Sequence, residues 1–267
     1  MRSTEKARRF GLARALSKLG YCSRSQAAEL IRAGRVKLNG VTRRDPETPV
    51  HVERDRMEVD RRSIRAEAKV YLMLNKPRGV VTTASDEKGR DTVYSFLSAA
   101  LPWVAPVGRL DKASEGLLLL TNDSAWAARI SDPETHLEKT YHVQVGAVVE
   151  KTLLAEITRG IRTTDGGVLR AKRAGVLRSG EHNTWLEIVL DEGKNRQIRR
   201  MLDASGIEVL RLVRVAVGPL VLGKLAKGEC RALTSDEKRA VDRTIKTSQE
   251  ARSAAPDALR GAQTDVT

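Results

Sequence analysis

Four consecutive leucines at residues 117–120 form an apolar run followed by Thr121-Asn122-Asp123. A run of that length closed by turn residues predicts a buried strand. Nearer the N-terminus the spacing is helical. Leu12, Ala15, Leu16 and Leu19 recur on one face and Gly20 ends the pattern. Ser23 or Ser25 opens a second predicted helix, in which Ala27, Ala28, Leu30 and Ile31 face inward, and Gly34 follows. Residues 36–42 then read as two short strands around the Asn39-Gly40 hairpin turn. Residues 50–69 alternate briefly and then become charged and apolar-poor, the expected end of a first domain and its linker.

Strand patterning resumes at residues 70–74 and reverses at Asn75-Lys76-Pro77-Arg78-Gly79. Residues 125–130 predict a helix capped by Asp123, and residues 138–145 alternate as a half-buried strand. A helix is expected over 150–159, with strands around Gly166-Gly167 and Gly180. Residues 186–202 read as a strand, a glycine turn and the start of a helix carrying Lys194, Arg196, Arg199 and Arg200. A last strand over 209–215 carries Arg211 and Arg214 and leads to Gly218-Pro219-Leu220. Residues 246–267 have no aromatic residue and little apolar periodicity, so a disordered tail is expected there. The pattern divides the chain into an N-terminal α+β module over 1–65 and a second α+β domain over 66–245.

Charge sharpens this division. The chain of 267 residues carries a net +14. Residues 1–65 alone hold 17 Lys or Arg against 8 Asp or Glu, a net +9. An excess of that size, spread without a long basic run, points to a polyanion and first of all to nucleic acid. Arg24, Arg32, Arg35 and Lys37 lie in or beside the second helix and the hairpin. Guanidinium groups there match phosphate oxygens in pairs, which suits backbone recognition with little sequence reading. Cys22 and Cys230 belong to no metal or disulfide pattern, and the four histidines lack ligand spacing. No run approaches the length of a membrane span, and the basic N-terminus lacks the apolar core of a secretory signal, so a cytoplasmic protein is expected. A monomer is expected as well. Gly218 through Gly223-Lys224 approaches the spacing of a phosphate-binding loop, but Leu225 stands where a hydroxyl is needed.

The candidate chemistry sits before the leucine run. Asp111 lies in a polar turn between Gly108 and Gly116, within VGRLDKASEGLLLLTND. Taken alone, an Asp in such a context caps a turn. Position by position, however, the segment resembles the signature of the pseudouridine synthases that modify ribosomal RNA (the RsuA/RluB/RluE/RluF type). The first helices and hairpin, LARALSKLGYCSRSQAAELIRAGRVKLNG, resemble the S4 domain. Lys76, Pro77 and Gly79 match the family's Lys-Pro-x-Gly, and Lys139 and Tyr141 its Lys-x-Tyr. Residues 191–202, DEGKNRQIRRML, match its third motif. Four motifs in family order, over about residues 11–243, are far more specific than any one of them.

The resemblance implies an S4-like α+β module followed by a synthase domain with a mixed, largely antiparallel sheet. It implies Asp111 as the catalytic carboxylate, Tyr141 stacked on the target base, Arg199 paired with Asp111, and Ile198 under the base. Arg109, Lys194, Arg196 and Arg200 are expected at RNA phosphates. Lys76 is expected to be mainly architectural, with phosphate contact as a second role. Moving uracil from N1 to C5 changes neither composition nor oxidation state, so no cofactor is required. Whether Asp111 attacks C1′ or removes the C2′ proton stays open. So do a synthase acting on transfer RNA and a non-catalytic RNA-binding or ribosome-assembly protein on the same fold. The mark of the last, a replaced Asp111, Tyr141 or Arg199, is absent from the sequence.

Overall fold

The computed structural model describes residues 9–84, 86 and 88–254. Helices Leu12–Lys18 and Arg24–Arg32 pack over an antiparallel sheet ordered Val41–Arg43, Val36–Leu38, Met57–Val59, Arg62–Ile64. Leu12, Leu16, Ala27, Ile31, Val36, Val50, Met57 and Val59 are buried between them. Ser23 starts the second helix in a complete capping box: its hydroxyl accepts from Gln26 N, and the Gln26 side chain accepts from Ser23 N. The predicted linker is corrected here, because Arg62–Ile64 is a strand paired with Met57–Val59. Their turn places Asp60 and Arg61 at φ 49° and 65°. Such two-residue turns normally carry Asn or Gly, so DR gave no hairpin signal.

The second domain is built on a nine-stranded sheet. Its order is Arg173–Ser179, Thr184–Leu190, Lys139–Val145, Val209–Val217, Glu115–Thr121, Tyr71–Lys76, Cys230–Ala232, with Leu220–Val221 paired to Val209–Val217 and Ala105–Val107 paired to Glu115–Thr121. Every pairing is antiparallel except that between Val209–Val217 and Glu115–Thr121, so the sheet is mixed and largely antiparallel. The leucine run is apolar throughout because both of its faces are covered. Leu118 and Leu120 join Leu72, Leu74, Val80 and Val93, whereas Leu117 and Leu119 join Met73, Trp126, Val217, Val241 and Ile245. At the parallel crossing Gly116 has φ 102°, and a Cβ there would collide with the Arg214 carbonyl oxygen. Only glycine lets these two main chains approach so closely.

Asp123 caps helix Ser124–Ser131 by accepting from Ala125 N and Trp126 N, as the sequence predicts. The expected disordered tail is corrected over its first part: helix Ser235–Ala254 runs through residues 246–254. Its reason lies upstream, where Val241 and Ile245 are buried one turn apart and Trp126 Nε1 donates to Asp242 at 3.0 Å. Residues 255–267 lie outside the described residues. No helix among the described residues is long and apolar enough to cross a membrane.

Candidate active site

The loop after strand Ala105–Val107 carries Arg109, Leu110 and Asp111. Leu110 is buried, and its main chain is gripped by the Thr82 hydroxyl, which donates to Leu110 O at 2.8 Å and accepts from Leu110 N at 3.4 Å. Beneath the loop lies Lys76, at zero exposure. Its Nζ donates to the carbonyls of Ser114 at 2.9 Å, Pro77 at 3.0 Å and Asp111 at 3.2 Å. Burial pulls its pKa down to about 8, against the favourable pull of Asp111 and Glu115. Of the two expected roles of Lys76, this burial favours the architectural one over phosphate contact, because the ammonium faces carbonyls inside the protein. Two of its three donors hold the turn that presents Asp111, and the third tethers the Pro77 carbonyl beside it.

Asp111, Tyr141 and Ile198 come together on one cleft of about 220 Å³, whose walls also include Arg109, Lys139, Lys194, Arg196 and Arg214. Tyr141 stands on strand Lys139–Val145 directly opposite Arg214. Ile198, 3% exposed, lies in the first turn of helix Gln197–Ala204. That turn is fixed by buried Gln197, which donates to Arg170 O at 2.9 Å and to Glu192 at 2.6 Å and accepts from Lys194 N at 3.2 Å. Arg196 precedes the helix at φ 47°. Arg109, Lys194 and Arg196 are exposed at the mouth, the position from which cations meet a backbone phosphate.

Arg199 departs from the expected direct pairing. It donates to Ala113 O at 3.1 Å and to Val209 O at 3.3 Å, and its Nε is buried without a partner. Burial lowers its pKa, Arg196 and Arg78 add to that, and the charge of Asp111 opposes it. The interaction with Asp111 is thus longer-range, while the guanidinium ties the Asp111 loop to strand Val209–Val217. The guanidinium is turned toward these two carbonyls, and among the described residues it forms no ion pair with Asp111. Arg200 points elsewhere, bridging to Asp165 at 2.5 Å on the protein's own surface.

In the N-terminal module Arg24 and Arg32 sit exposed at opposite ends of one helix, and Lys37 is the outward residue of its strand. Arg35 is exposed too, bridging to Asp60. Sequence reasoning left two cleft residues out of the site, Lys139 and Arg214. A charge within the apolar strand LVRVAV was the available signal for Arg214, which is 7% exposed and donates Nε to Leu117 O at 2.7 Å.

With this geometry established, similarity to known proteins decides the family. Residues 70–204 match the RNA pseudouridylate synthase family, and residues 11–55 match the S4 domain. The chain belongs to the RNA pseudouridylate synthase family. It is 37% identical over 227 residues to the ribosomal large subunit pseudouridine synthase B of Bacillus subtilis (strain 168), covering 85% of this chain and 93% of that one. An uncharacterized RNA pseudouridine synthase of Aquifex aeolicus (strain VF5) is 39% identical over 223 residues, covering 83% of this chain and 89% of that one. A solved pseudouridylate synthase superposes with a TM-score of 0.62 at 31% identity, covering 87% of this chain and 99% of that one. The enzyme is therefore an RNA pseudouridine synthase with an S4 domain.

Proposed function

We propose that this synthase isomerises uridine in ribosomal RNA, with Asp111 as the catalytic carboxylate. The observation that carries the reading is the convergence of Asp111, Tyr141 and Ile198 on one cation-rimmed cleft, with the Asp111 turn held from below by Lys76. The Bacillus relative, named for the large ribosomal subunit, supports ribosomal RNA as the substrate. The target uridine leaves its stack, at a cost of a few kcal/mol, and its base enters between Tyr141 and Ile198. Breaking N1–C1′ builds positive charge at the sugar, which the Asp111 carboxylate stabilises or traps. Arg199 and Lys76 keep that carboxylate in place by holding the main chain of its loop. Arg109, Lys194 and Arg196 take phosphates at the mouth, and Arg24, Arg32, Arg35 and Lys37 anchor a more distant part of the RNA.

The purified full chain tests this with transcripts tritiated at uracil C5, a position that loses its hydrogen when the new carbon–carbon bond forms. Tritium release from ribosomal transcripts and not from transfer RNA is the expected result. Release from transfer RNA alone would overturn the substrate, and release from neither would overturn the activity.

A further inference from the structure

Two cations in the cleft wall are not used by the mechanism above. Lys139 and Arg214 lie on neighbouring strands and line the same cavity as Asp111, Tyr141 and Ile198. They also line a second, mainly apolar cavity with Val107, Leu119, Ile130 and Val217, where Glu192 is the one carboxylate among the lining residues. Among the described residues neither forms an ion pair. Within the same set Arg214 contributes only its Nε, to Leu117 O, and Lys139 Nζ makes no hydrogen bond. Burial, then the charge of Arg214, lowers the pKa of Lys139, with Asp191 as the opposing charge. Arg214 disfavours the charged form of Lys76 as well. Unneutralised positive charge is thus concentrated at the wall of the base pocket, a placement that costs stability and calls for an anion.

We propose that Lys139 and Arg214 form a cradle for the negative charge that uracil carries once it separates from the sugar. The inference rests on the synthase reading. Position distinguishes this anion from a phosphate: the exposed cations Arg109, Lys194 and Arg196 stand at the mouth, whereas Arg214 is buried beside Tyr141. Heterolysis of N1–C1′ leaves the bonding pair on the ring, spread over N1, O2 and O4. Asp111 either bonds to C1′ or accepts the C2′ proton, which is later returned. The ring then turns, C5–C1′ forms, C5 gives up its proton and N1 gains one, so the product is an isomer of the substrate. Fixed cations aimed at charge that exists only between the two bonds favour the intermediate over the bound uridine.

The test compares full-chain Lys139→Gln and Lys139→Arg with wild type on the tritiated ribosomal transcript, under single-turnover conditions. Lys139→Gln is expected to slow the step at saturating RNA by about 10²–10³-fold, the range for losing one donor aimed at developing charge. The half-saturating RNA concentration should barely move, the melting temperature should not fall, and Lys139→Arg should recover most of the rate. Transcripts carrying 5-fluorouridine, followed by chromatography of digested nucleosides, give a second reading. Fluorine makes the ring a better anion, so the Lys139→Gln defect in N1–C1′ cleavage should shrink. A raised half-saturating concentration with an intact rate would overturn the cradle in favour of a phosphate contact. An equal defect on both transcripts would overturn it as well. Tritium release by wild type judges the synthase reading separately, since the cradle is judged on variant-to-wild-type ratios.

Discussion

Arg35 and Arg199 both flank a sheet, yet their surroundings differ in kind. Arg35 stands in solvent and bridges an equally exposed Asp60. Arg199 is half-buried, donates to the carbonyls of Ala113 and Val209, and senses the charge of Asp111. The same contrast separates the two regions as wholes. Cations of the N-terminal module point outward from a small core, whereas Lys76, Lys139, Arg199 and Arg214 line or underlie the cleft. Exposed charges act through a salt-screened field and confer affinity. Buried ones are costly to place, and their return is geometry: a fixed loop, a fixed carboxylate and a charged pocket wall.

The sharpest way to break this contrast is to replace one arginine of each kind. Arg199→Ala should lower the single-turnover rate at saturating RNA by about 10²-fold, the low end for losing a group that preorganises charge. Arg200→Ala, which loses a bridge to surface Asp165, should leave that rate near wild type. Equal losses would erase the distinction.

Lys76→Met should come next, destabilising the chain by about 1–3 kcal/mol for each carbonyl left bare. Denaturant unfolding reads this, and pH adds a sign. Lys76 has a folded-state pKa near 8 against an ordinary 10.5, so between those values the unfolded chain binds the extra proton. The stability of wild type relative to Lys76→Met should therefore rise with pH across that window, by at most about 1.4 kcal/mol per unit. A flat difference would contradict the buried ammonium.

A smaller effect belongs to the module. Replacing Arg24, Arg32 and Lys37 together by Gln should weaken RNA binding and reduce its salt slope by about 0.7–0.9 for each phosphate no longer neutralised. The rate at saturating RNA should be unchanged. The smallest effect is expected from Arg35→Ala, whose bridge to Asp60 is exposed at both ends, with no measurable change in melting temperature. A large drop would mean that this pair holds the sheet together.

How much was legible in the sequence follows the same line between local and distant causes. The leucine strand, the Asp123 cap and the Asn39-Gly40 hairpin were readable because each is encoded within a few residues. Strand Arg62–Ile64 was not, because its turn uses Asp60 and Arg61 where glycine or asparagine would have announced it. The extent of helix Ser235–Ala254 was hidden because its polar surface resembles a solvated tail, and its anchors, Val241 and Ile245, meet residues far away in sequence. In the cleft, resemblance to the synthase motifs pointed to Asp111, Tyr141 and Ile198, and all three line one cavity. Spacing could not show which way Lys76 points, since its carbonyl partners Asp111 and Ser114 depend on strand Tyr71–Lys76 packing under the Asp111 turn. Nor could it show that Arg214 faces the pocket, which follows from its register opposite Tyr141.

Cells lacking this gene, complemented with either the wild-type chain or Asp111→Asn, decide whether the Asp111 carboxylate drives the modification of ribosomal RNA. Pseudouridine is then mapped across both large ribosomal RNAs. Asn is nearly isosteric, so the variant should accumulate, fold and bind RNA like wild type. A pseudouridine missing from the deletion strain is expected to return with the wild-type chain and not with Asp111→Asn. Restoration of that pseudouridine by Asp111→Asn would contradict the carboxylate mechanism, and an unchanged map on deleting the gene would contradict ribosomal RNA as the substrate.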